Sequence, residues 1–363
     1  MGRIGWIDEF KGFVLLLVCL YHVEQSFSYA NMGMLHLSAL RMSAFFFISG
    51  MLFSTRRFPN FKSYFIHKSK VLLLPYILLS LLFLALDPVV YNFDLFPKAP
   101  RMTVMNIRPE IATVWNYIYW NLAKIFVAGK SSIGSGPLWF VFTLYSVSLL
   151  FYGVQKIVPR RFIFFVSLAS LAGGWLLYVN HIRLPLGIER DLTVLFFFAN
   201  GWLCKGMLKE NTKKILALVA ATIVSFAAYA YLEVPDPNFS IMNNDLGKDF
   251  RIFVASSFFG IAGLIGTFVL ADKLPNIVPV RIAKGILRNI SRNALVILAV
   301  HWYTLLVMRL LFREAFNKPG VAYLAIPVVA TVVIAAIPLF RCKLYRLLGK
   351  EKIGVRESLS IKD

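Results

Sequence analysis

Apolar runs long enough to cross a membrane constrain this chain more than any other feature of its sequence. Runs of about 18–20 mostly apolar residues recur along it, and a helix of that length crosses a hydrocarbon core of ~30 Å. Charged residues make up only 16% of the chain, against about 25% in soluble domains. The polar stretches between the runs are too short to hold a core of their own. The sequence therefore predicts an all-α integral membrane protein, with residues 1–363 forming a single domain.

Ten transmembrane helices are predicted, and no internal repeat relates them. They cover residues 12–30, 35–53, 71–90, 138–155, 162–179, 186–204, 215–232, 250–270, 294–312 and 321–340. Membrane proteins concentrate Lys and Arg in their cytoplasmic segments. Most Lys and Arg residues here lie on the side of the membrane that also holds the N-terminus. We therefore predict that both termini are cytoplasmic, and the net charge of +21 then requires no nucleic-acid partner.

Two connections between the predicted spans are long. Residues 91–137 face outward and include the aromatic-rich stretch "IATVWNYIYWNLAKIFV" within 111–128, which is typical of an interfacial or re-entrant helix. The alternative is an eleventh span, which would invert every later segment. The basic connection at Lys156, Arg160 and Arg161 favours the first interpretation. The second connection, 272–293, is predicted to be a basic cytoplasmic loop.

The first span carries ionisable residues at membrane depth. Lys11 and His22 are 11 residues apart, which places them on one helix face about 16 Å from each other. Lys11 can extend to the cytoplasmic surface. His22 then lies near the bilayer centre, where a neutral imidazole can exchange a proton near neutral pH. A functional histidine and a structural one that hydrogen-bonds to another helix both fit this position.

The sequence carries no metal-binding or nucleotide-binding motif. The five histidines show no i, i+4 pair, and neither a P-loop nor a G-x-G-x-x-G stretch occurs. Cys19, Cys204 and Cys342 lie in separate segments without C-x-x-C spacing, which is typical of free thiols. We therefore predict no bound metal.

Several stretches resemble one known family. The opening "RIGWIDEFKGFVLLLVCLYH" is similar to the start of the membrane acyltransferase-3 family, with matches at Arg3, Asp8, Lys11-Gly12 and His22. The family includes surface-polysaccharide and fucose O-acetylases. Ser43 stands where members have proline, and lysines replace an Arg-x-x-Arg pair before the third span. Four later stretches resemble family segments in the expected order: "LRMSAFFFISGMLF", "KSYFIHKSKVLLLPY", "GPLWFVFTL" and "ISRNALVILAVH".

The resemblance implies an enzyme that moves an acyl group, usually acetyl, from cytoplasmic acyl-CoA to a hydroxyl of a cell-surface sugar or glycan. It implies acetyl-CoA as donor, a sugar or polysaccharide as acceptor, contact with membrane lipid, and the bacterial cytoplasmic (inner) membrane. His22 would be a general base on the acceptor hydroxyl or a transient acyl carrier. Lys11 would align the donor.

The resemblance also assigns the remaining candidate residues. The basic loop would bind the CoA phosphates, although such loops are also common cytoplasmic flanks. Its residues are Arg56, Arg57, Lys62, Lys68 and Lys70.

Three further residues are expected on the acceptor side. Arg41 lies in the second span, where its partner would be Glu24, Asp191 or a developing oxyanion. His301 would contact the acceptor or form a helix-to-helix hydrogen bond. Trp139 would be an interfacial anchor or an aromatic wall for a sugar ring. The stretch 189–191 is interpreted as a solvated start of the sixth span.

Two other classes of protein use similar features. A transporter or flippase for lipid-linked sugars would also have about ten helices and charged residues at mid-membrane, but transporters usually show inverted repeats. A receptor or scaffold would leave the histidine of the first span unexplained.

Overall fold

The computed structural model describes residues 5–93, 104–107, 110–209, 215–233, 239–247, 249–275 and 277–349. Arg3 of the opening motif and the end of the chain lie outside these residues. Within them, regular structure is helical apart from two isolated β-bridges, so the all-α prediction is confirmed. The α-helices of this part are α1 (Gly5–Ser26), α2 (Ser38–Met51), α3 (Phe61–Lys68), α4 (Leu74–Asn92), α5 (Val114–Phe126), α6 (Trp139–Ile157), α7 (Ile163–Val179), α8 (Ile188–Leu203), α9 (Ile215–Glu233), α10 (Phe250–Asp272), α11 (Val278–Arg292), α12 (Ala294–Phe316) and α13 (Ala325–Cys342).

Eight helical segments among the described residues are long and apolar enough to cross a membrane. They are Met34–Met51, Phe61–Val89, Gly136–Ile157, Arg160–Val179, Ile215–Leu232, Phe250–Asp272, Ala294–Phe316 and Val321–Cys342. The first and sixth predicted spans are not among them. The first, now α1, carries four charged residues, and the sixth, now α8, has 16 residues and begins with three charges. Length and composition thus support eight of the ten predicted spans.

Helix bounds differ from the prediction at α1 and α11, and at α5 they decide between the two predicted alternatives. α1 begins at Gly5 and ends at Ser26, so His22 lies in its last turns and not at its middle. The acidic Asp8 suits the first turn of a helix, which explains the early start. α5 has 13 residues and extends about 20 Å, too short for an eleventh span. The predicted loop 272–293 contains the helix α11.

The chain folds into two compact units, and the first comprises Met1–Arg57 and Ser146–Ala294. In it α1 packs against α2, α10 and α11, and α8 packs against α2 and α7. The approach of α2 to α8 depends on small residues, as is usual between membrane helices. A Cβ atom at Gly50 would collide with the Phe198 carbonyl oxygen, and one at Gly201 with the Phe47 carbonyl oxygen.

The second unit comprises Phe58–Tyr145 and Leu295–Asp363. Here α3 continues into α4 through a π-helical turn, Ser69–Leu73. Such turns are rare and occur frequently at functional sites. The Tyr76 hydroxyl donates to the carbonyl oxygens of Ile125 (2.9 Å) and Lys130 (2.8 Å), which fixes the end of α5 against α4.

Candidate functional site

The C-terminal end of α1 places His22 beside an aromatic ring and a buried cation. α1 is continuous from Lys11 to His22, as their shared helix face requires. The rings of Tyr21 and the half-buried His22 are 5.4 Å apart, centroid to centroid. The Arg41 guanidinium lies 4.0 Å from the Tyr21 ring centroid, a cation–π contact. An imidazole and a guanidinium thus flank the same tyrosine.

Two charged side chains, Glu24 and Arg41, hold the loop after α1. Together with Tyr21 and His22 they form what we call the His22 cluster. Glu24 Oε2 accepts hydrogen bonds from the backbone amides of Met32 (2.8 Å) and Met34 (3.0 Å). Arg41, which is 6% exposed, donates from Nη1 to the Met34 carbonyl oxygen. Glu24, one of the predicted partners of Arg41, therefore binds the same loop as Arg41. The buried guanidinium is fixed in position because backbone and aromatic contacts both hold it.

The N-terminal part of α1 is bound to α11, a helix that the sequence analysis missed. Glu9 is 1% exposed, and its Oε1 lies 2.5 Å from Nη2 of Arg288. Lys11, two residues later, is half-buried. The spacing of Val278, Ile282 and Ile286 at i, i+4 and i+8 was a signal that could have revealed α11. All three side chains are exposed, as expected of a helix that lies in the membrane interface.

The five basic residues predicted for the donor belong to different units. Arg56 and Arg57 are exposed in the turn that ends the first stretch of the first unit. The three lysines lie in the second unit, on α3 and its π-helical turn: Lys62, Lys68 and Lys70. Lys62 and Lys70 are exposed, whereas Lys68 is half-buried with its Nζ 5.5 Å from the Tyr64 ring centroid. The structure therefore groups the three lysines on one continuous helical segment.

His301 and Trp139 are both buried in the second unit. Nδ1 of His301 lies 2.5 Å from the Ile297 carbonyl oxygen, a hydrogen bond within α12. Trp139 is packed edge-on against Phe140 and does not face outward as an interfacial anchor would. The neighbouring Trp302 donates from Nε1 to the Ile133 carbonyl oxygen at 2.7 Å.

The charged residues at the start of α8 are buried, so their interpretation as solvated was wrong. Glu189, Arg190 and Asp191 are 3%, 1% and 2% exposed. Gly187, in the left-handed region at φ 72°, folds the preceding turn back over the helix start. Glu189 Oε2 accepts from the Leu184 amide at 3.0 Å, and Asp191 accepts from the Ser146 hydroxyl at 2.5 Å. Asp191 also lies 3.6 Å from Nε of Arg190, which makes Arg190 its ion-pair partner.

The His22 cluster is suited to acid–base chemistry. A half-buried imidazole can accept and return a proton, and a fixed guanidinium can stabilise negative charge that develops on an oxygen. Among the residues that the structure describes, no three His, Cys, Asp or Glu side chains are grouped to hold a metal ion.

The fold and this cluster define a multi-pass membrane protein with a candidate acid–base site on its first helix. A family model described as an acyltransferase domain matches residues 4–340. The chain therefore belongs to the acyltransferase-3 family and is a membrane acyltransferase, which confirms the resemblance of the opening motif. No curated protein and no solved structure matches the chain.

Proposed function

We propose that this protein transfers an acetyl group from acetyl-CoA to a hydroxyl group of a cell-surface sugar or glycan. One observation carries the proposal: in a chain of this family, α1 places the His22 imidazole beside Tyr21, and the buried Arg41 guanidinium lies over the same ring. This is the pairing that acyl transfer needs, a base for the acceptor hydroxyl and a cation for the developing oxyanion.

The reaction balances with the groups present. His22 takes the proton of the acceptor hydroxyl as its oxygen attacks the thioester carbonyl, and Arg41 stabilises the resulting oxyanion. The carbon–sulfur bond then breaks, and the CoA thiolate takes up the proton from His22. General-base catalysis of this kind contributes typically about 10²–10⁴-fold. The alternative route has the acetyl group pass first to the imidazole nitrogen and then to the hydroxyl.

We place donor binding on the cytoplasmic side, in the bacterial inner membrane, with both termini in the cytoplasm. The exposed Lys62 and Lys70 and the half-buried Lys68 support this proposal because CoA carries several phosphates. Lysine attracts phosphate as a point charge, without the forked hydrogen bonds of arginine. Lys11, in the N-terminal part of α1, would align the donor through its phosphates.

The decisive experiment measures transfer directly. The purified protein in lipid nanodiscs would be incubated with ¹⁴C-acetyl-CoA and surface glycans isolated from cells that lack the gene. We expect the label in the glycan fraction, and we expect mass spectrometry of whole-cell glycans to show acetyl esters only when the gene is present. Absence of glycan labelling, together with identical glycans from both strains, would refute the proposal.

A further inference from the structure

Asp87 is a buried carboxylate within a candidate membrane span. It lies on α4 and is 0% exposed. Neither of its carboxylate oxygens makes a hydrogen bond of good geometry in the described structure, although donors lie nearby. Ionisable groups at such positions are costly and usually mark a substrate or ion pathway. The sequence analysis did not single out Asp87, and the His22 cluster makes no use of it.

Polar groups from α5 and from the loop that follows it surround this carboxylate. Ser132, Tyr117 and the Gly134 backbone are close enough to act on it as hydrogen-bond donors, and Lys124 acts on it by its charge. Lys124 is 6% exposed, and Tyr117 is fully buried. The loop approaches so closely that a Cβ atom at Gly134 would collide with Asp87 Oδ1. Asp87 is therefore surrounded by polar groups and does not lie in an apolar contact between helices.

Several other atoms of this cluster have unmet hydrogen-bonding capacity. The Tyr117 hydroxyl, Asn121 Oδ1 and Ser131 Oγ are buried, and none of them makes a hydrogen bond of good geometry. Burial and the nearby Asp87 carboxylate raise the pKa of the Tyr117 hydroxyl above its ordinary value. The loop between α5 and α6 is irregular, and irregular backbone beside membrane helices occurs where it is covered by protein or lines a polar cavity.

The chemistry of these atoms selects a class of ligand. The carboxylate and Asn121 Oδ1 are acceptors, so a ligand must bring hydrogen-bond donors. Asp87 and Lys124 carry opposite charges within one cluster, so their charges offset each other and favour neither a cationic nor an anionic ligand. A neutral group with several hydroxyls satisfies both conditions.

Aromatic residues pack next to the cluster. Tyr117, Ile133, Trp302 and Leu306 form one buried group, and Tyr91, Trp120 and Tyr303 pack against it. Aromatic faces suit the C–H face of a sugar ring. We propose that Asp87, Lys124 and Tyr117 form a binding site for the hydroxyl groups of the sugar acceptor. This inference rests on the proposed function and adds to it the residues that would recognise the acceptor.

The test separates acceptor binding from catalysis and from folding. Wild type, Asp87→Asn and Tyr117→Phe would be assayed in nanodiscs with ¹⁴C-acetyl-CoA and oligosaccharides released from the surface glycans of cells lacking the gene. Ser80→Ala is the matched control, because Ser80 lies two turns from Asp87 on α4 and its hydroxyl is likewise buried without a partner. We expect the KM for oligosaccharide to rise about tenfold or more in Asp87→Asn and about threefold or more in Tyr117→Phe.

A binding role also predicts which kinetic constants stay the same. The KM for acetyl-CoA and kcat should remain within about twofold of wild type in both variants, and Ser80→Ala should match wild type. An unchanged oligosaccharide KM, or a fall in kcat at constant KM, would overturn the site. If Asp87→Asn does not yield folded protein, Tyr117→Phe decides alone. Failure of wild type to label any oligosaccharide would instead refute the proposed acetyl transfer, an outcome distinct from failure of this site.

Discussion

At the scale of single residues, His22 carries the strongest chemical hypothesis. It is half-buried beside Tyr21, over which the Arg41 guanidinium lies. We predict that His22→Ala lowers kcat for acetyl transfer by about 10²–10⁴-fold, because the acceptor hydroxyl loses its base. Initial rates with labelled acetyl-CoA measure the effect, and thermal unfolding in nanodiscs shows whether the variant remains folded.

A second histidine provides the matched control for this prediction. His36 belongs to the same unit, its side chain is exposed, and its backbone carbonyl oxygen accepts a hydrogen bond from the Tyr229 hydroxyl. His36→Ala should therefore retain the wild-type rate. Mass spectrometry of wild type after donor is added without acceptor distinguishes an acyl carrier from a base, because only a carrier leaves an acetyl group on His22. Wild-type turnover by His22→Ala would exclude both roles.

Single residues also show that a sequence predicts local relations but not contacts between residues far apart in the chain. The helix periodicity of α1 predicts correctly that Lys11 and His22 share a face, because that relation is local. The sequence predicts Asp87 only as part of an apolar span. Its neighbours in space, Lys124 and Ser132, follow more than 35 residues later in the chain, so no local pattern connects them. The same limit applies to the start of α8, which the sequence predicts to be solvated, because burial there depends on the folded turn that precedes it.

At the scale of elements, the contact between α1 and α11 depends on a close backbone approach. A Cβ atom at Gly12 would collide with the Leu287 carbonyl oxygen, which belongs to the backbone and cannot rotate away. We predict that Gly12→Ala destabilises the protein by about 1–3 kcal/mol, the usual cost of overpacking. The measurement is the shift of the thermal unfolding midpoint in nanodiscs.

Gly285 on α11 gives the opposite expectation for the same substitution. A Cβ atom there would meet nothing within 4 Å. Alanine is favoured over glycine in helices by about 0.5–1 kcal/mol, so Gly285→Ala should leave the unfolding midpoint unchanged or raise it. Equal shifts for the two variants would show that α1 and α11 do not pack as described.

Some helices are predicted from the sequence more reliably than others. Apolar length alone predicts the eight helical segments of the described residues that are long and apolar enough to cross a membrane, because hydrophobic thickness sets that length. The sequence analysis predicts a basic loop where α11 lies, because charged residues interrupt the amphipathic pattern of this helix. The sequence predicts that the first span continues to residue 30, because Phe27 and Ala30 are apolar. In the structure α1 ends four residues earlier, at Ser26, and these two residues form a turn.

At the scale of the whole molecule, the distribution of basic residues predicts sidedness. Ser54 and Tyr29 are exposed and follow consecutive helices of the chain. In a background with Cys19, Cys204 and Cys342 replaced by serine, a membrane-impermeant thiol reagent should label Tyr29→Cys in intact cells. Ser54→Cys should react only after the cells are opened. Labelling of Ser54→Cys from outside would invert the predicted topology.

The same charge distribution predicts how the donor binds. Attraction between lysines and CoA phosphates is screened over about 8 Å at physiological ionic strength, so the affinity for acetyl-CoA should fall as salt rises. Exposed ion pairs contribute about 0.2–1 kcal/mol each. Replacing Lys68 and Lys70 together by glutamine should therefore raise the KM for acetyl-CoA about two- to thirtyfold at low salt, while kcat changes less.

A double variant with the same change in net charge tests whether position matters. Arg313 and Lys318 are exposed near the end of α12, on the side predicted to be external, and replacing both by glutamine should leave donor binding unchanged. Calorimetry of acetyl-CoA with the three purified proteins, at 20 mM and 500 mM salt, measures the affinities directly. At low salt the affinity of the Lys68 and Lys70 variant should be reduced, and at high salt the three proteins should converge. Equal affinities at low salt would show that these lysines determine only membrane orientation and that the donor binds elsewhere.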